Sequence, residues 1–171
     1  ADDLGIAAYD EVNHQGILRH IVVRTAYETN DTMIILVTKS KQLPYEQDLI
    51  ERIVTERPEV KSIIHNINRF KTNVILGDEM RTIFGEDYIY DTIGSLQFKL
   101  SPRSFFQVNP TQTKVLYEQA INYAQIKEDD IVIDAYCGIG SISLFLAEKA
   151  KKVYGVEIVP EAIADAKANA Q

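Results

Sequence analysis

The sequence predicts two architectures in one chain: an incomplete Rossmann-like α/β unit in its second half, preceded by a small antiparallel α+β domain. Three observations carry this. Ile131, Val132 and Ile133 form a short continuous apolar run, the pattern of a strand buried on both faces of a parallel sheet. A loop bearing Gly138 and Gly140 follows at once and opens a helix, Ser141 to Lys149, with Ile142, Phe145 and Leu146 at helical spacing. Residues 17–100, by contrast, hold several short β-branched runs and one helical pattern, the order of an α+β module.

Taken in order, residues 1–16 are polar and mixed, with Gly16 as an entry turn. Ile17 to Thr25 and Thr32 to Thr38 read as strands joined by a turn at Asn30 and Asp31. Pro44 opens a helix whose Leu49, Ile50, Ile53 and Val54 share one face, and Pro58 marks its end. Val60 to Ile67 is a third strand, and Asn73 to Leu76 with Arg81 to Phe84 has the look of a hairpin. Tyr88 to Ile93 and Leu96 to Leu100 flank Gly94-Ser95, a two-residue turn with glycine at its positive-φ position. Residues 17–100 therefore predict an antiparallel sheet with one helix.

Ser101 to Asn109, SPRSFFQVN, is a junction. Asn109 is a good N-cap, Pro110 suits the first helical position and Gln112 sits three after the cap, so a helix starts here and is expected to bury Leu116, Ala120, Tyr123 and Ala124. Beyond it come the 131–135 strand, the glycine loop and its helix, a short strand Val153 to Val156, and a helix from Pro160 to Gln171. The expected domains are residues 1–92 and 93–171.

Composition excludes several classes. No apolar run approaches the roughly 20 residues that cross a bilayer, and ADDLGIAAYDE has neither the basic nor the apolar region of a signal peptide, so a cytoplasmic protein is expected. A single cysteine, Cys137, excludes an internal disulfide and a multi-cysteine metal site within these residues, and no metal is expected. The net charge is −7. Residues 1–100 hold 11 Lys and Arg against 16 Asp and Glu, and residues 101–171 hold 7 against 9, so any grip on RNA must come from a local basic surface. Arg19, Arg24, Arg69, Lys71 and Arg81 are the candidates for it.

The loop ligand is argued from charge. A dinucleotide fingerprint needs a third glycine, but the run Gly138, Ile139, Gly140, Ser141, Ile142, Ser143 has serine there. Asp134, at the end of the first strand, would repel a pyrophosphate and attract a sulfonium and an ammonium group, the charges of S-adenosyl-L-methionine. Glu157 closes the second strand, 19 residues after Gly138, about where a nucleotide-binding fold places the acid for ribose hydroxyls.

FFQVN at 105–109, DAYCGIG at 134–140 and GVE at 155–157, with weaker support from GILRHIVVR at 16–24, resemble the S-adenosylmethionine-dependent RNA uracil-C5 methyltransferases, which make 5-methyluridine in ribosomal or transfer RNA. The resemblance covers nearly the whole chain. It implies a class I methyltransferase domain, with Gln107 as an amide on the cofactor, Tyr136 as the aromatic against it, Glu157 as the ribose-binding acid and Ser141 as a polar contact. Residues 1 to about 92 match the family's central RNA-associated domain. It implies an RNA partner, ribosomal RNA ahead of transfer RNA, and no membrane.

In that family a thiolate adds to C6 of uracil, C5 takes the methyl group, and a carboxylate base removes the C5 proton. Cys137 lies inside the cofactor loop, so the resemblance places nucleophile and base downstream of Gln171 and leaves no catalytic residue here. The chain reads as a fragment, inactive alone and prone to self-associate through a bare sheet edge. Two other readings stand beside this one: a methyltransferase of another substrate, and a non-catalytic RNA-binding fragment.

Overall fold

The computed structural model of the protein describes residues 2–171. The chain divides into two compact units: Ala1–Ala26 with Asn30–Ile89, and Tyr27–Thr29 with Tyr90–Gln171.

The first unit is a four-stranded sheet in the order β1 (Leu18–Thr25), β2 (Thr32–Thr38), β3 (Val60–Ile67), β4 (Glu79–Gly85). β1–β2 and β3–β4 are antiparallel, but β2 and β3 run parallel, with Ile35 beside Ile64, so the expected antiparallel sheet is in fact mixed. The cause is the connection. Residues 39–59 carry α1 (Glu46–Glu56), long enough to return the chain to the start of the sheet, which a parallel pair requires. The apolar stripe of α1 seats Leu49 and Ile50 on Leu36, Val60 and Ile63, with Ile6 and Leu43 completing the core and Ile53 and Val54 packed on its margin.

The expected hairpin at 73–76 does not form. Instead, Asn68 donates from its side chain to the carbonyls of Val74 and Ile75 (2.7 and 3.1 Å), and Asn66 exchanges hydrogen bonds with the Gly77 backbone (2.8 Å each way). Side chains therefore satisfy backbone groups that a strand would give to a ladder.

In the second unit, β5 (Ile89–Ile93) and β6 (Leu96–Leu100) form their own two-stranded sheet, with Gly94 at φ 63° in the turn, so they do not extend the first sheet as the 17–100 reading expects. The Tyr27 and Glu28 amides donate to the buried Asp91 carboxylate of β5 (2.9 and 3.0 Å). α2 (Pro110–Ala124) is capped as expected, Asn109 Oδ1 accepting the Gln112 amide at 3.1 Å. Its inner face differs from the expectation: Thr113 and Tyr117 are buried while Leu116 and Tyr123 are exposed. Tyr117 sets that rotation by packing edge-on against Phe145, ring centroids 5.4 Å apart.

The rest is a strand, loop, helix, strand unit: β7 (Ile131–Asp134), α3 (Ser141–Ala147), β8 (Lys152–Gly155), then α4 (Pro160–Asn169). β7 and β8 are parallel, Ile133 beside Tyr154. β7 is not buried on both faces: Ile131 and Ile133, two apart and so on one face, are 63% and 68% exposed, and among the described residues β7 pairs only with β8.

Candidate functional site

The site is laid out by the ends of β7 and β8. The Val156 amide donates to the Asp134 carbonyl (2.8 Å) and the Cys137 amide to the Val156 carbonyl (3.1 Å), which continues the strand pairing into the loop. The Gly140 amide then donates back to the Cys137 carbonyl (2.8 Å), and Gly140 turns at φ 83°, a left-handed conformation that glycine adopts without penalty. Gly155 is needed for a different reason: a Cβ there would stand 2.9 Å from the Cys137 sulfur.

Glu157 is the hub of the arrangement. Its Oε1 accepts the amides of Ile158 (2.7 Å) and Val159 (2.9 Å), and its Oε2 accepts the Gly138 amide (3.1 Å). The Val159 and Ile158 amides, with that of Gly138 behind them, hold the carboxyl below the usual glutamate range. The space above Gly138 is open, with no atom within 4 Å of where a Cβ would lie.

Asp134 ends β7 and accepts the Ser143 hydroxyl (2.6 Å). Ser141 shares a hydrogen bond with the Tyr117 hydroxyl (2.8 Å). Burial raises the Tyr117 pKa, the Ser141 hydrogen bond opposes this, and the Asp134 charge adds to it. Tyr136 projects from the loop, 90% exposed. Gln107 lies half-buried between β6 and α2. Thus Gly138, Gly140, Glu157, Asp134 and Ser141 gather around one loop, whereas among the described residues no hydrogen bond joins Gln107 or Tyr136 to it.

Cys137 is 5% exposed, its thiol directed at the Gly138 carbonyl (3.7 Å). Burial first, then the charges of Asp134 and Glu157, push its pKa up. A thiol so placed is packed against the loop backbone with its neutral form favoured.

Four polar residues of the site escape sequence reasoning: Tyr117, Ser143, Asp165 and Asn169. Asp165 and Asn169 leave one trace, a polar pair four apart on an alanine-rich helix and so on one face of it.

Among known proteins, a family model described as tRNA (uracil-5-)-methyltransferase matches residues 11–171. An uncharacterised RNA methyltransferase of Oceanobacillus iheyensis is 60% identical over 98% of the chain and 36% of its own length. One from Halalkalibacterium halodurans is 57% identical over 100% and 37%. The chain thus spans little over a third of these relatives. Among solved structures, the Pyrococcus abyssi tRNA (uracil-54, C5)-methyltransferase in complex with S-adenosyl-L-homocysteine matches with a TM-score of 0.79 and 25% identity over 98% of this chain and 39% of that one. A tRNA m1G37 methyltransferase of M. jannaschii shares the fold, with a TM-score of 0.50 and 16% identity over 86% of this chain and 41% of that one.

Proposed function

The chain belongs to the tRNA (uracil-5-)-methyltransferase family, and from that premise we propose that it forms the cofactor-holding part of an enzyme that moves a methyl group from S-adenosyl-L-methionine to C5 of a uridine in RNA. The observation that carries the reading is the Glu157 carboxylate drawn onto the Gly138 amide at 3.1 Å beside open space. A carboxylate has about four acceptor positions. Three are engaged by amides here, which leaves Oε2 one for a ribose hydroxyl. Asp134 and Glu157 together favour a cationic ligand over a pyrophosphate. The S-adenosyl-L-homocysteine bound by the Pyrococcus protein supports the same chemistry.

Bound there, the cofactor supplies an electrophilic methyl group. The residues of this chain bind and orient: Glu157 takes the ribose, Gly138 and Gly140 leave room for close approach, Gln107 and Tyr136 supply an amide and an aromatic face, and Asp134 and Ser141 add polar contacts. With Cys137 buried, the thiolate and the carboxylate base lie outside these residues, and the chain alone transfers no methyl group. The first unit helps to hold the RNA, in the cytoplasm. Ribosomal RNA is the first substrate to assay; transfer RNA is the second reading, favoured by the substrate in the Pyrococcus enzyme's name.

Calorimetric titration with S-adenosyl-L-methionine tests the assignment. Glu157→Ala should weaken binding roughly tenfold or more, the scale of hydrogen bonds to a charged group. Gln107→Ala should also weaken it. Unchanged affinity in both variants would overturn the cofactor reading.

A further inference from the structure

We infer that α4 is a positioning element for the cofactor site: Asp165 and Asn169 fasten the segment that carries Gln107 and the glycine loop to one helix, and so set the distance between them. The inference rests on the cofactor reading of those two segments and adds the residues that hold them.

Asp165 is 4% exposed, an expensive place for a carboxylate unless donors surround it. They do. Its Oδ1 accepts the Ser101 hydroxyl (2.7 Å), and its Oδ2 accepts the Ser104 hydroxyl (2.5 Å) and the Ser101 amide (3.3 Å). The Ser104 hydroxyl oxygen in turn accepts the Ser101 amide at 2.9 Å. One turn further on, Asn169 uses both ends of its amide. Its Oδ1 accepts the Lys99 backbone amide (2.7 Å), and its Nδ2 donates to the Ile139 carbonyl (3.0 Å), the residue between Gly138 and Gly140. Two side chains of one helix thus reach the end of β6, the loop after it and the glycine loop.

Asp165 is the buried residue of α4, so the helix is seated through the same side chain that holds the segment after β6. The small positions of the helix are alanines, and Gly140 lies against one of them, Ala166, where a Cβ would come within 3.4 Å of the Ala166 methyl. Downstream of the Asp165 anchor the segment is held twice more, by Phe106 against Phe98 (centroids 5.7 Å) and by Asn109 at the start of α2. Gln107 therefore sits between fixed points. A side chain meant to meet a ligand held by a different loop needs that registry, since small misplacements cost large factors in binding and rate.

The test is a double-mutant cycle on cofactor affinity joined to hydrogen exchange. Gln107→Ala and Asp165→Ala should each weaken S-adenosyl-L-methionine binding, roughly three- to tenfold. Because Asp165 acts through Gln107, the double variant should bind no more weakly than Gln107→Ala, where independent effects would multiply. Amides of 105–109 should exchange faster in Asp165→Ala while those of α3 keep their rates. Should Asp165→Ala lose α3 protection, Ser104→Ala, which removes one donor, takes its place in the cycle. Multiplying effects, or unchanged affinity in the Asp165 or Ser104 variant, would overturn the inference wherever Gln107→Ala does weaken binding. A Gln107→Ala variant that binds normally would instead strike the cofactor reading of that segment, and the inference with it.

Discussion

Glu157 shows how backbone amides set the charge state of a single side chain. The amides of Val159, Ile158 and Gly138 favour its ionised form, so its folded pKa lies below the unfolded one. For a carboxylate with that sign, the stabilisation is present above the unfolded value and lost as pH falls through the folded one. Cofactor affinity should therefore stay flat from about pH 8 to about pH 5 and fall only in acid below the ordinary glutamate value of about 4.3. Titrations across that range check it, and a midpoint near pH 6 would assign ligand binding to another group. Cys137 has the opposite sign, its neutral thiol being favoured. At pH 8, iodoacetamide should alkylate it at under roughly a tenth of the rate in the unfolded chain, and Cys137→Ala should still bind cofactor. The position of Glu157 was legible, because a short apolar strand ending in an acid points to it. Asp165 and Asn169 were not, since their partners Ser101 and Lys99 lie 64 and 70 residues away.

At the scale of elements, local pattern located β2, β3 and the two glycine turns, but direction and facing were set by tertiary contacts. β3 runs parallel to β2 because of the length of the connection, and α2 turns its Tyr117 face inward because Phe145 receives it. Arg19 is the clearest case. As a basic residue in a strand it reads as a candidate for RNA phosphates, yet its side chain is buried. Its guanidinium lies 4.7 Å from the Tyr9 ring centroid and donates to the carbonyls of Asn68 (3.0 Å), Phe70 (2.7 Å) and Thr72 (3.4 Å) and to Glu11 (3.1 Å). It is a clamp on the loop after β3. Arg81 is paired with Glu46 and Arg69 with Glu79, so those charges too are partly answered within the unit. Arg19→Lys keeps the charge but cannot reproduce the fork, and should lower the stability of the first unit by about 2 kcal/mol or more. Urea denaturation of this variant decides: an unchanged midpoint would return Arg19 to the RNA-facing set.

At the scale of the whole molecule, the two units differ in how completely their strands are partnered. β2 and β3 are each hydrogen-bonded on both sides, and β2 is buried along most of its length. β7 and β8 form a pair alone among the described residues, and Ile131 and Ile133 of β7 are mostly exposed. An apolar strand with an unpaired edge is a template for another chain. The 171-residue chain should therefore self-associate as concentration rises, which sedimentation velocity would show as a shift to larger species. Ile131→Lys with Ile133→Thr should suppress it, since a lysine on an edge strand opposes pairing. In the monomer, amides of β2 and β3 should exchange slowly and those of β7 and β8 quickly, because opening the second pair breaks one ladder and exposes little that is not already exposed. A chain that stays monomeric at high concentration, with β7 amides as protected as those of β2, would mean that the β7 edge is covered in solution, and that its exposed isoleucines do not govern how the protein behaves.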